Sequence, residues 1–261
     1  LLNSLDMESY EADGTLNADI RLGDIFSAVN LDASLSIDSL EVQAMPIGAL
    51  SMQAKGQGLA AEQTDDPLQL GLALDGKNNQ LDMEGIYRLD SGYFDIGINM
   101  RRFQLQPWQV FLQEYVEQLE GVLTADLQLQ GTPDDPSVNG SFAFADELTL
   151  VPTFTGAVYY INDEEEIRFE GDELVFDNFA IEDSARTKAT LDGTIGFENI
   201  TNPAFDLAFS TDNFLFVNNE SFENESFYGR ALATSSLEIK NSLDNLNITG
   251  DVSVNEGTDF T

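Results

Sequence analysis

The residue types that most often carry out chemistry are missing from this chain, and carboxylates are what remains. There is no His and no Cys among 261 residues. Without His, a nucleophile of the Ser-His-Asp kind has no base, and zinc sites built from imidazole and thiolate have no ligands. The 47 Asp+Glu could supply the carboxylate pair of a glycoside hydrolase. At that abundance pairs arise everywhere, and the pattern selects none. The densest run, Asp163-Glu164-Glu165-Glu166, offers the oxygen ligands that Ca²⁺ takes but lacks the spaced Asp-x-Asp-x-Asp-Gly loop. It falls between Tyr159-Tyr160-Ile161 and Ile167-Arg168-Phe169, where a solvated hairpin turn is expected. The chain is read as non-enzymatic, with no cofactor and no metal.

Charge narrows the partners further. Eleven Lys+Arg against 47 Asp+Glu give a formal net charge of −36. Binding to nucleic acid needs a basic footprint and is excluded; adsorption to an anionic membrane surface is disfavoured for the same reason. Acidity of this degree also suits a saline habitat. No run of 18 apolar residues is present, so the sequence reads as a soluble piece of something longer. Its 42% hydrophobic content is enough for a substantial core.

The apolar residues fall mostly at period two, which is the signature of half-buried strands. Leu16, Ala18, Ile20 and Leu22 alternate with polar residues, as do Leu31, Ala33, Leu35 and Ile37, and then Leu123, Ala125, Leu127 and Leu129. Further strands are expected over 81–88, 93–100, 156–161, 167–170, 174–181, 189–197, 214–217, 229–239 and 246–254. Residues 24–29 are compatible with a helical turn or a strand, and 218–226 with a loop. Asx-Pro steps at Asp66-Pro67, Asp135-Pro136 and Asn202-Pro203 each precede an alternating strand, which suggests a repeated architecture.

One segment breaks the pattern. Trp108, Phe111, Leu112, Tyr115, Val116 and Leu119 share one face of a 3.6-residue period between Pro107 and Gly121, so an amphipathic helix is expected over 107–120. The organisation expected is one elongated domain: a β-rich segment 1–106, the helix 107–120, and a β-rich segment 121–261. Phe142, Phe144, Ile195, Phe197, Phe205, Leu207, Phe209, Phe214 and Phe216 then either face a second sheet in a closed core or line an open apolar groove. Periodicity alone does not separate the two.

The order helix, Glu120-Gly121, alternating strand, Gly131-Thr132, Asp135-Pro136, Asn139-Gly140 resembles the recurring unit of the TamB family. TamB is the inner-membrane subunit of the translocation and assembly module, within the AsmA-like bridge-forming lipid-transfer superfamily. Phe176 to Asp183, Leu191-Asp192-Gly193-Thr194-Ile195 and Phe227-Tyr228-Gly229-Arg230 resemble its C-terminal region as it occurs in Bacteroidetes-type members. The resemblance implies an all-β, elongated, curled U-shaped (β-taco-like) sheet with an apolar inner face. It also implies a periplasmic location in a Gram-negative bacterium, with an inner-membrane anchor elsewhere in the full-length protein and an outer-membrane partner of the Omp85 class. The implied roles are intermembrane phospholipid transport and outer-membrane protein assembly; the alternatives are a scaffold that binds outer-membrane strands at a sheet edge and a closed-core structural protein. The expected groove residues, which meet phospholipid acyl chains, are Leu68, Leu70, Leu72, Leu74, Leu127, Leu129, Val138, Phe142, Phe144, Ile195, Phe197, Phe205, Leu207, Phe209, Phe214 and Phe216, with Trp108, Phe111 and Tyr115 as a groove cover.

Overall fold

A computed structural model describes residues 12–24, 29–59, 66–199, 201–219 and 228–260. Of the segments expected at 24–29 and 218–226, residues 25–28 and 220–226 lie outside the described residues, and Asn218 and Asn219, expected in a loop, end a strand instead. The chain is all-β, with strands β1 (Ala12–Gly23), β2 (Val29–Val42), β3 (Met45–Leu59), β4 (Leu68–Asp75), β5 (Asn79–Tyr87), β6 (Phe94–Gln104), β7 (Val116–Glu120), β8 (Val122–Thr132) and β9 (Asp135–Phe144). The second half continues with β10 (Leu148–Pro152), β11 (Tyr159–Ile161), β12 (Glu166–Gly171), β13 (Glu173–Glu182), β14 (Lys188–Gly196), β15 (Ala204–Asn219), β16 (Gly229–Ser242), β17 (Asn247–Val254) and β18 (Asp259–Phe260). The chain divides into two compact units, residues 1–110 with 124–140, and residues 111–123 with 141–261.

In the first unit β1 to β6 form an antiparallel meander. Because successive side chains point to opposite faces, the register decides what each face shows. Ala18, Leu35, Met52, Leu72, Met83 and Ile98 stand opposite one another in a single cross-strand row. Leu16, Ile37, Leu50, Leu74, Leu81 and Met100 form the next row on the same face. The opposite face carries Asn17, Ser36, Ser51, Ala73, Asp82 and Asn99 in register. Alternation in each strand thus becomes one apolar sheet face and one polar one.

The second unit repeats the principle with larger side chains. Phe179, Leu191, Phe209 and Leu237 lie in one row across β13 to β16, and Leu174, Ile195 and Phe205 in another. The register shift between Thr211 and Phe214 leaves Phe214 on the Phe209 side, where Phe216 meets both rings at centroid distances of 5.3 and 6.0 Å. Leu215, on the other face, packs with Ala157 and Leu232. A β-bulge therefore gives this long strand apolar contacts on both faces.

Two of these strands meet so closely at Gly193 that no side chain fits. Its φ is +117°, and a Cβ there would stand 2.0 Å from the Asp206 carbonyl oxygen. Gly193→Ala is expected to destabilise the second unit by about 1–3 kcal/mol through backbone strain alone, read as a lower denaturant midpoint at unchanged slope.

The helix expected over 107–120 is corrected by the structure. Gln106–Leu112 forms a short 3-10 helix, whereas Val116–Glu120 is strand β7, paired antiparallel with β10. A helix of this length is marginal without tertiary support. Pairing gives these residues inter-strand hydrogen bonds, and it sets Leu119, 8% exposed, opposite Leu150. The partner is the five-residue strand Leu148–Pro152, absent from the strands expected above, so nothing in the local period argued against a helix.

Candidate functional site: an apolar trough on the first unit

The apolar face of the first unit is not filled. A cavity of about 420 Å³ runs across the strands, lined by Ala18 and Ile20 of β1, Ala33 and Leu35 of β2, Met52 and Ala54 of β3, Leu70 and Leu72 of β4, Met83 of β5 and Ile96 of β6. The space exists because Ala18, Ala33 and Ala54 are too short to close it. Met52 projects into it and remains 42% exposed. Adjacent strands lie ~4.8 Å apart, so five spacings give a trough of roughly 24 Å. One acyl chain fills half of a bilayer core, roughly 15 Å, and fits lengthwise. No titratable group lines the trough, whose polar contributors are Ser34 and Gln53, so it would hold an apolar chain mainly by exclusion of water.

Of the groove residues expected from the sequence, Leu70 and Leu72 line this cavity, and Leu68 follows them along β4. Leu74 is buried at the side of the trough in a cluster with Val42 and Ile47, against which Leu40, Leu50, Leu81, Phe103 and Trp108 pack. Leu127 and Leu129 on β8 and Val138 on β9 are half-buried. In the second unit the aromatic candidates bury one another. Phe144, 6% exposed, lies 6.3 Å from Phe142 and 6.5 Å from Phe179 between ring centroids, and Phe142 reaches Phe169 at 5.9 Å. Leu207 and Phe214 are also buried; Ile195, Phe197, Phe205, Phe209 and Phe216 are half-buried.

The expected cover residues separate. Trp108 stacks on Phe103 at 5.4 Å within the Ile47 cluster, whereas Phe111 is 39% exposed and Tyr115 is 71% exposed. The face that would have united them is helical, and that helix ends at Leu112.

What the sequence reading missed is the small-residue side of the pattern. Ala18, Ala33 and Ala54 occupy strand positions, but bulk drew attention to Leu and Phe instead. Leucine and phenylalanine fill space; alanine leaves it.

The charged groups of the second unit serve structure. Arg186, held at φ +65°, donates to both Glu147 oxygens, with Nη2 to Oε1 at 3.1 Å, and to Glu182 at 3.3 Å. Its guanidinium lies 3.9 Å from the centroid of the Tyr160 ring, a cation–π geometry. The hydrogen bond from Arg186 holds the Glu147 carboxyl below its usual range, although desolvation opposes it. A depressed folded-state pKa stabilises above the unfolded value and is lost as pH falls through the folded one. Tm of the wild type is therefore expected to fall more steeply than that of Arg186→Gln on acidification below the ordinary Glu range, converging at the acid end; differential scanning calorimetry across that window is the check. In the acidic run, Glu165 accepts from the Ala180 N–H at 2.8 Å, while Asp163, Glu164 and Glu166 are exposed. Among the described residues no cluster of acidic side chains is arranged to hold a metal ion, and no helix is long and apolar enough to cross a membrane.

Comparison with known proteins gives one finding. No curated protein and no solved structure matches the chain. Residues 177–261 match the TamB C-terminal domain. That stretch holds the end of β13 and all of β14 to β18, the registered strands whose apolar rows were described above. By this match the C-terminal third of the chain is similar to the TamB C-terminal domain.

Proposed function

We propose that this chain is a non-enzymatic length of a hydrophobic conduit that passes phospholipid acyl chains between membranes and supports outer-membrane protein assembly. The match of residues 177–261 to the TamB C-terminal domain supports the coarser frame that the resemblance implies, an envelope protein of the bacterial translocation and assembly module that acts with outer-membrane proteins of the Omp85 class. In this reading the apolar rows are the inward face of a curled, U-shaped sheet, and the polar rows with their carboxylates face the periplasm. The observation that supports it is the unfilled trough across β1 to β6, lined by aliphatic residues and alanines. A chain lying there gains about 0.8 kcal/mol per buried CH₂. No charged group lines the trough, so no ion pair fixes the chain at one point and it can shift along the rows.

Native mass spectrometry with lipid extraction, on chain purified without detergent, tests the proposal. Phospholipid that stays bound and exchanges when vesicles are added is the expected result. A lipid-free chain that takes up none from vesicles would return the fold to a purely structural role.

A further inference from the structure

We propose that the Ile47–Trp108 cluster sets the width of the trough, so that the first unit seats one acyl chain at a time and discriminates single-chain from two-chain amphiphiles. This rests on the conduit reading above and adds to it what limits the occupant.

The cavity is bounded by two neighbouring cross-strand rows. One runs through Ala18, Leu35, Met52, Leu72 and Met83, the other through Ile20, Ala33, Ala54, Leu70 and Ile96. Rows on one face are two residues apart, about 6.8 Å. Carbon atoms in contact lie about 4.0–4.5 Å apart centre to centre, so two rows seat one polymethylene chain and a second needs another row. Over β3 to β5 the row that would receive it contains Leu50, Leu74 and Leu81, and there it is occupied by the cluster in which Ile47, Phe103 and Trp108 also pack; its β1 end, Leu16, is 62% exposed.

The cover is built and braced. Asn79 is fully buried; its amide donates to the Ile47 carbonyl at 3.2 Å and its oxygen accepts from the Gln104 N–H at 3.0 Å. One side chain thus ties the start of β3 to the end of β6, from which the turn carrying Trp108 departs. Buried Pro107 and the Trp108 N–H bond to the Leu105 carbonyl at 2.9 Å fix that turn. On the opposite flank Leu59, 8% exposed, stands over Gly56, with its Cδ atoms 2.8 Å from where a Cβ would be. At β3 both sides of the two-row seat are therefore walled by side chains.

Trp108 is the only tryptophan of the chain, so its fluorescence reports this wall alone. The test uses brominated dodecylphosphocholine as the quencher, displaced by unlabelled dodecylphosphocholine or by diheptanoylphosphatidylcholine, all below their micelle concentrations. In the wild type the single-chain competitor is expected to displace the quencher about tenfold more effectively, the scale on which an apolar pocket discriminates by shape. In Ile47→Ala and Leu50→Ala, which keep the tryptophan and remove wall atoms, the ratio is expected to fall to about twofold or less. Circular dichroism melts identify which variant remains folded, and Leu50→Ala, at a half-buried position, is the milder. Equal displacement in the wild type, or an unchanged ratio in a folded variant, overturns width control and leaves the conduit standing. Absence of any quenching in the wild type overturns the conduit at this face, and this inference with it.

Discussion

Met52→Asp is expected to abolish acyl-chain loading of the first unit while leaving it folded. Met52 stands in the row between Leu35 and Leu72, lines the trough and is 42% exposed, so in the empty protein a carboxylate there remains hydrated. When a chain occupies the trough, the same carboxylate must be covered by hydrocarbon. An Asp at the centre of a bilayer costs about 2.5–3.5 kcal/mol, which corresponds to a loss of roughly 100-fold in affinity. Lipid carried through purification, and the rate of lipid exchange with vesicles, are the readouts; Met52→Leu serves as the control that keeps the surface apolar. Unchanged lipid in Met52→Asp would place the bound chain elsewhere. Phe144→Asp is not an equivalent probe. Phe144 is 6% exposed among Phe142 and Phe179, and a carboxylate there would disrupt the core of the second unit whether or not lipid binds.

The largest expected effect on stability belongs to Asp183. Its side chain is fully buried; Oδ1 accepts from the N–H groups of Ala185 and Thr187 at 2.8 and 2.9 Å, and Oδ2 from that of Leu215 at 2.9 Å. The carboxylate closes the turn between β13 and β14 and pins it to β15. At the edge of the same region the Tyr159 hydroxyl donates to the Phe216 carbonyl at 2.8 Å, and burial, with the nearby Asp183 charge, pushes its phenol above the usual range. Asp183→Ala would strand three backbone donors, each at about 1–3 kcal/mol. A loss of at least ~3 kcal/mol is therefore expected, read from denaturant unfolding, with Asp183→Asn intermediate because one acceptor oxygen survives. A change below ~1 kcal/mol would mean that water or a neighbouring group takes over those donors.

The strands were legible because their physics is local. Alternation at Leu68, Leu70, Leu72 and Leu74 is a property of consecutive residues, and β4 forms there; the Asp135-Pro136 step ahead of a strand was equally plain, and β9 begins there, since aspartate and proline favour turns by their own chemistry. The segment 107–120 was misread for the converse reason: its outcome depends on Leu148–Pro152, with which it pairs, and no period within the segment records a partner. The trough was hidden for a related reason. Ala18, Ala33, Ala54 and Leu70 leave space only once register sets them side by side, and register is a relation between strands.

The sequence by itself determined that this is an acidic, all-β chain without the side chains of nucleophilic or thiolate chemistry, and that each strand has one apolar face. Composition and nearest-neighbour periodicity are enough for that. Only the tertiary structure decided where those faces stay open, where aromatic rings close on one another, and that Trp108 stacks on Phe103 while Tyr115 remains exposed. Each of those outcomes depends on which distant residues come to lie opposite, and hydrogen-bond register, not local preference, makes that choice.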